Sequence, residues 1–176
     1  IILTTRDIFT GKITKIVRSK RKNRFQPIQL ANRDNLLLGK TDKNELQAWQ
    51  ISDGKLMWAI RDFRSNENLL VKDNRLAILS LTQQQVNVYG VNNGQLLWSD
   101  PLEAAISKTS ADDDKDTYKL MSSPDAEKLV ITIPQKATSE NHNSILTIRN
   151  WTNGRRLWQQ EFDDSVSKNI NISDRT

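Results

Sequence analysis

Gln47-Ala48-Trp49-Gln50-Ile51-Ser52-Asp53-Gly54-Lys55-Leu56-Met57-Trp58 is a short alternating run, an Asp-Gly pair, and a second run that ends in Trp. The same order returns at Asn87-Val88-Tyr89-Gly90-Val91-Asn92-Asn93-Gly94-Gln95-Leu96-Leu97-Trp98. It returns again at Thr147-Ile148-Arg149-Asn150-Trp151-Thr152-Asn153-Gly154-Arg155-Arg156-Leu157-Trp158. Asp-Gly and Asn-Gly suit the two positive φ angles of a type I′ turn, so each copy is predicted to be a β-hairpin with a two-residue tip. A fainter copy opens the chain around Thr10-Gly11, with Lys15 where the others have Trp.

Aligning the copies on Gly11, Gly54, Gly94 and Gly154 tightens the pattern. Three residues before the glycine stand Ile8, Ile51, Val91 and Trp151; eight before it stand Leu3, Leu46, Val86 and Leu146. Four after it stand Lys15, Trp58, Trp98 and Trp158. The glycines are 43, 40 and 60 positions apart. A strand-built period of about 40–45 residues is that of one β-propeller blade. The chain is therefore predicted to be all-β, a propeller of about four visible four-stranded blades forming one repeat domain over residues 1–176. The blade-closing hairpins fall near 3–17, 46–60, 86–100 and 146–162. The long third interval predicts an insertion near 101–127.

The runs between the turns support strands. Residues 36–40, 75–81 and 128–133 are short apolar segments rich in branched side chains, each followed by a polar turn and then a Gly-turn hairpin. No helix is expected beyond a single turn within 102–108. Because blades are too small to bury both faces alone, Trp58, Trp98 and Trp158 are expected to cement each blade to its neighbour. The chain starts at Ile1, and its first copy holds only half a blade before the turn. It is expected to be part of a larger ring, where propellers use 4–8 blades.

Composition narrows the chemistry. The 176 residues contain no cysteine, which removes disulfides, thiolate metal sites and a thiol nucleophile. His142 is the only histidine, so no multi-His metal site can be assembled. The six glycines are dispersed at turns and strands rather than gathered into a phosphate cradle. Asp112, Asp113 and Asp114 open an acidic run through Asp116, but the Gly and Glu of an EF-type calcium loop are missing. The net charge of +5 is uneven, with Arg18, Lys20, Arg21, Lys22 and Arg24 in one dense basic run. No aromatic platform interleaves with that run, so a solvated loop is favoured over a nucleic-acid site. No apolar run approaches the ~20 residues of a membrane span. The sequons at Asn150 and Asn171 read as chance matches, and the compartment is left unassigned.

The residues from Ala48 through Asp53-Gly54 to Trp58, with the Gly94-to-Trp98 and Gly154-to-Trp158 spacings, resemble the PQQ-like (pyrroloquinoline-quinone-type) propeller repeat. In that repeat an Ala-x-Asp-x-x-Thr-Gly-x-x-x-Trp pattern closes each blade. Thr10-Gly11 keeps the Thr-Gly pair and loses the Trp. Ser123-Pro124-Asp125 is also similar to a turn of WD-repeat propellers, although the Gly-His and Trp-Asp marks of those repeats are missing. The resemblance implies a ring, and it spans both quinoprotein dehydrogenases and non-catalytic scaffolds of membrane-protein assembly machines. A dehydrogenase would need calcium ligands, a catalytic Asp and often vicinal cysteines. The expected function is therefore a non-catalytic protein-interaction scaffold with no cofactor and no catalytic or metal-binding residues. Its expected partner is another protein, rather than a small-molecule substrate or nucleic acid. Interaction residues are expected in the departures from the repeat: Arg18, Lys20, Arg21, Lys22 and Arg24, and Asp112, Asp113 and Asp114. A quinoprotein-type dehydrogenase segment and a basic nucleic-acid-binding propeller are the alternative readings.

Overall fold

The computed structural model describes residues 2–6, 10, 12–18, 24–31, 35–64, 68–80, 83–102, 119–134 and 143–163. Every regular element among them is a strand. No helix among them is long and apolar enough to cross a membrane. Contacts divide the chain into two compact units. One is Ile1–Ser65 with Val91–Gly94, and the other is Asn66–Gly90 with Gln95–Thr176.

The first unit begins with an antiparallel hairpin of β1 (Ile2–Arg6) and β2 (Ile13–Arg18). A four-stranded antiparallel sheet follows in sequence order: β3 (Phe25–Ala31), β4 (Leu36–Thr41), β5 (Leu46–Gln50) and β6 (Leu56–Ile60). Leu38 pairs with Ala48 at its centre and both are fully buried; Leu46 to Trp49 are buried in succession, so β5 is covered on both faces. The edge strand β3 is tied down by Phe25, whose ring meets Trp49 edge-on at 6.1 Å.

The second unit holds two further sheets of the same kind. β7 (Asn68–Lys72), β8 (Arg75–Ser80), β9 (Gln85–Gly90) and β10 (Leu96–Pro101) form one. β11 (Lys119–Ser122), β12 (Lys128–Pro134), β13 (Asn143–Asn150) and β14 (Arg156–Asp163) form the other. Leu76-Ala77-Ile78-Leu79 in β8 are all buried, so this strand is covered on both faces and reads as a continuous apolar run. Leu79, Val86 and Val88 from one sheet share a single core with Leu129, Ile131 and Trp151 of the other. Burial of such side chains stabilises by roughly 1.5–3 kcal/mol each before the ordering entropy is subtracted.

Three blades are four-stranded and all-β, as the repeat predicts. The described part of the first copy is a two-stranded hairpin, which agrees with its holding only half a blade before the turn. Each full sheet also opens with a strand the alternation did not expose: β3, β7 and β11. The last of these lies inside the 101–127 stretch read as an insertion, and its pairing with β12 makes that part of the stretch integral to the blade. Residues 103–118, including most of the suggested helical turn, lie outside the described residues.

Candidate interaction site

The turns come first, because they place the tryptophans. Gly54, Gly94 and Gly154 have φ of 70, 66 and 75°, whereas Asp53, Asn93 and Asn153 are not left-handed. The predicted type I′ tip, with its two positive φ angles, is therefore replaced by a longer loop with one left-handed residue. In the first such loop Gly54 N–H donates to the Gln50 carbonyl at 2.9 Å, and Gln50 N–H donates to the Lys55 carbonyl at 2.8 Å. The third repeats this through Gly154 N–H to Asn150 at 2.9 Å and Asn150 N–H to Arg155 at 2.8 Å. The cause is tertiary. The residue three before the glycine is drawn into the structure: Val91 and Trp151 are fully buried, and Trp151 N–H donates to the Glu127 carbonyl. Ile51 N–H likewise donates to the Asn35 carbonyl. An anchored first loop residue leaves no room for a two-residue tip.

A β-bulge follows each loop. Ala48 pairs with Trp58 and Trp49 with Leu56, so Met57 is the extra residue. Leu97 and Leu157 are skipped in the same way opposite β9 and β13. A bulge residue leaves the ladder and re-aims its neighbours. Met57, Leu97 and Leu157 accordingly stand 43%, 48% and 48% exposed, while the tryptophan next to each is set opposite Ala48, Val88 or Ile148.

That geometry delivers the indole to a turn later in the chain. Within the first unit, Trp58 is buried, its indole N–H donates to the Val91 carbonyl at 2.6 Å, and its ring lies on Gly94. Within the second, Trp98 donates to the Trp151 carbonyl at 3.0 Å and its ring lies on Gly154. The acceptor is in both cases three residues before the glycine. A Cβ at Gly94 or Gly154 would stand 2.8 or 2.7 Å from the indole, so the left-handed φ and the bare α-carbon are both required. Trp158 holds the same register but is 38% exposed, and it tilts against Phe162 at 5.9 Å.

The second unit contains a polar tie that sequence reasoning missed. Arg149 is buried on β13; its guanidinium forms an ion pair with Asp100 of β10 and donates to the Gly154 carbonyl at 3.1 Å. Arg149 stands five before its glycine, where the other full copies have Trp49 and Tyr89, so the register marks it as a departure. At the β11–β12 turn the Ser123 hydroxyl donates to Asp125. That bond, then the Glu127 N–H, holds the exposed Asp125 carboxyl below its usual range.

Of the residues expected to meet a partner, Arg24 is exposed just before β3 and Arg18 ends β2. Lys20, Arg21, Lys22, Asp112, Asp113 and Asp114 lie outside the described residues, as do Gly11 and His142. No cluster of metal-ligating side chains occurs among the described residues.

The family described as outer membrane protein assembly factor BamB matches over residues 10–176. No curated protein sequence matches the chain. Among solved structures, BamB from Moraxella catarrhalis superposes with a TM-score of 0.55 at 10% identity, covering 85% of this chain and 41% of that one. The computationally designed Ika8 protein gives 0.56 at 15% identity, covering 88% and 42%. The designed Ika4 protein gives 0.50 at 16%, covering 80% and 74%. At these identities the likeness is one of fold. The chain spans less than half the length of the first two.

Proposed function

Since the chain belongs to the PQQ-like propeller family described as outer membrane protein assembly factor BamB, we propose that it is a non-catalytic scaffold that binds another protein. The observation that carries this reading is the use made of the repeated residues. Glycine, tryptophan and the residue three before the glycine are engaged with one another in the Trp58–Gly94 and Trp98–Gly154 pairs. The repeat thus builds a framework, and binding falls to what departs from it, as loops on rigid scaffolds commonly do. The basic run at 18–24 and the acidic run at 112–116 are those departures, and opposite charges of this kind steer partners in a salt-dependent way. The family's description as an assembly factor agrees with a partner that is itself a protein.

Deleting residues 108–117 tests the reading. Far-UV circular dichroism and urea unfolding are expected to be unchanged, while capture of partner in a quantitative pull-down from the native host falls and weakens further with salt. Unchanged capture combined with lost folding would make the segment structural and overturn the proposal.

A further inference from the structure

Two of the three glycine turns carry Asn-Gly, the dipeptide most open to cyclisation, because glycine has no Cβ to hinder attack of its nitrogen on the asparagine side chain. Their surroundings differ. At Asn153-Gly154 the peptide is clamped by side chains. The Thr152 and Asn153 N–H groups donate to the Asn150 side chain at 2.9 and 3.1 Å. The Gly154 N–H donates to the Asn150 carbonyl at 2.9 Å, and the Gly154 carbonyl accepts from the buried Arg149 at 3.1 Å. Gly154 itself is buried. At Asn93-Gly94 the residue in register with Asn150 is Gly90, which has no side chain, and the one in register with Arg149 is Tyr89, which has no guanidinium. Asn93 is exposed and Gly94 half-buried.

We propose that Asn93 is a spontaneous modification site, converting to aspartate and isoaspartate while Asn153 is protected, and that the isoaspartate form releases Trp58. The Gly94 nitrogen, giving up its proton, bonds to the side-chain carbonyl carbon of Asn93. The C–N bond of the side-chain amide breaks, and its nitrogen leaves as ammonia. Water then opens the succinimide at one carbonyl or the other, which gives isoaspartate or aspartate; no oxidant or reductant takes part. Ring closure requires the loop to open locally, so its rate follows the ties that hold the loop closed. The geometry also separates the two products. Aspartate leaves the main chain unaltered, and the first loop already has Asp53 in that place. Isoaspartate routes the main chain through the β-carbon and lengthens it immediately before Gly94. The Trp58 ring lies so close to Gly94 that a Cβ there would stand 2.8 Å away, and its N–H reaches the Val91 carbonyl at 2.6 Å. A lengthened loop cannot keep both contacts. The inference stands independently of the scaffold reading.

The purified protein is to be aged in neutral buffer and mapped by peptide mass spectrometry with electron-transfer fragmentation, which separates aspartate from isoaspartate at each site. In the folded protein Asn93 should convert several-fold faster than Asn153; in urea, where the ties are gone, the two should convert at comparable rates. Asn150→Gly should raise the Asn153 rate toward that of Asn93, and Gly90→Asn should slow Asn93, each variant first checked for a native circular dichroism spectrum. Hydroxyl-radical footprinting reads the dock. Trp58 should oxidise several-fold faster in the isoaspartate fraction, separated by ion exchange, than in fresh protein. Asn93→Asp, which adds the charge without lengthening the chain, should leave Trp58 protected. Asn153 converting as fast as Asn93 in the folded protein overturns the proposal. So does a difference that persists in urea, because flanking residues rather than the fold would then set it. An isoaspartate fraction in which Trp58 stays as protected as in fresh protein overturns it too.

Discussion

The indole of Trp98 lies against the α-carbon of Gly154, so close that a Cβ built there would stand 2.7 Å from the ring, while its N–H reaches the Trp151 carbonyl at 3.0 Å. One residue of the pair supplies bulk and the other its absence. Gly154→Ala should therefore lose about 1–2 kcal/mol to the left-handed φ and a further ~1–3 kcal/mol to overpacking. Trp98→Ala should cost toward the lower end of about 3–5 kcal/mol, since the ring is only partly buried. In the Trp98→Ala background the overpacking cost of Gly154→Ala disappears and only the backbone cost remains. Urea unfolding of the four proteins measures this coupling; additive losses would show that the ring and the glycine do not touch.

Arg149 and Asp100 should behave as one unit. Asp100→Ala removes a carboxylate from Arg149, a residue only 5% exposed, and the loss should fall below the ~3–5 kcal/mol of a fully buried pair. The discount follows from Asp100 itself, whose side chain is 33% exposed and keeps part of its hydration. Replacing both residues, Arg149→Leu with Asp100→Leu, should recover most of the loss, because two apolar side chains leave no stranded charge. Thermal unfolding of the double variant at or below the midpoint of Asp100→Ala would contradict this.

Part of this architecture is legible in the sequence alone. The Gly-turn hairpins were visible because three independent signals coincide within twelve residues: alternation, a turn pair and a terminal Trp. The strands β3, β7 and β11 were not. Pro27 interrupts Phe25–Ala31, Asn68–Lys72 is half-buried throughout, and Lys119–Ser122 is only four residues long. Each is identified by its hydrogen-bonded neighbour more than by its own pattern, and pairing is a tertiary fact. The tip geometry failed for the same reason: Asn-Gly and Asp-Gly prefer type I′, but anchoring of Ile51 and Trp151 to Asn35 and Glu127 lengthens the loop. For the interaction site, the tryptophan register could be read and its acceptor could not, since that acceptor is a backbone carbonyl. Arg149 showed only as an arginine in an aromatic register.

Asp125 gives a pH signature with a definite sign. Its carboxylate accepts from the Ser123 hydroxyl and the Glu127 N–H, and its folded pKa lies below the usual value. A depressed carboxyl stabilises the fold fully above its unfolded pKa of about 3.9. That contribution is lost as pH falls from there through the lower folded pKa. Wild type should thus exceed Asp125→Asn by a constant margin at neutral pH, and the margin should shrink once pH drops below about 4. Unfolding free energies measured from pH 7 to pH 2.5 on both proteins decide it. A margin that stays constant to the acid end would mean the carboxylate is not the acceptor.

The same turn contains a residue in the wrong conformation for its type. Ala126 has φ of 55°, and it is buried while its N–H donates to the Ser123 carbonyl at 2.9 Å. The Ser-Pro-Asp sequence before it is similar to WD-type turns in which glycine takes this place; here an L side chain carries the left-handed angle. The strain on an L-residue there is roughly 1–2 kcal/mol. Ala126→Gly relieves it but adds about 0.5–1 kcal/mol of unfolded-state entropy that folding must overcome. The terms oppose one another and the strain is the larger, so the variant should gain up to about 1.5 kcal/mol. Ala126→Val, whose branched side chain tolerates positive φ least, should lose more than Ala126→Gly gains. Urea midpoints for the three proteins should therefore rank Gly above Ala above Val, and Gly falling below Ala would show that Ala126 relaxes out of the left-handed region in solution.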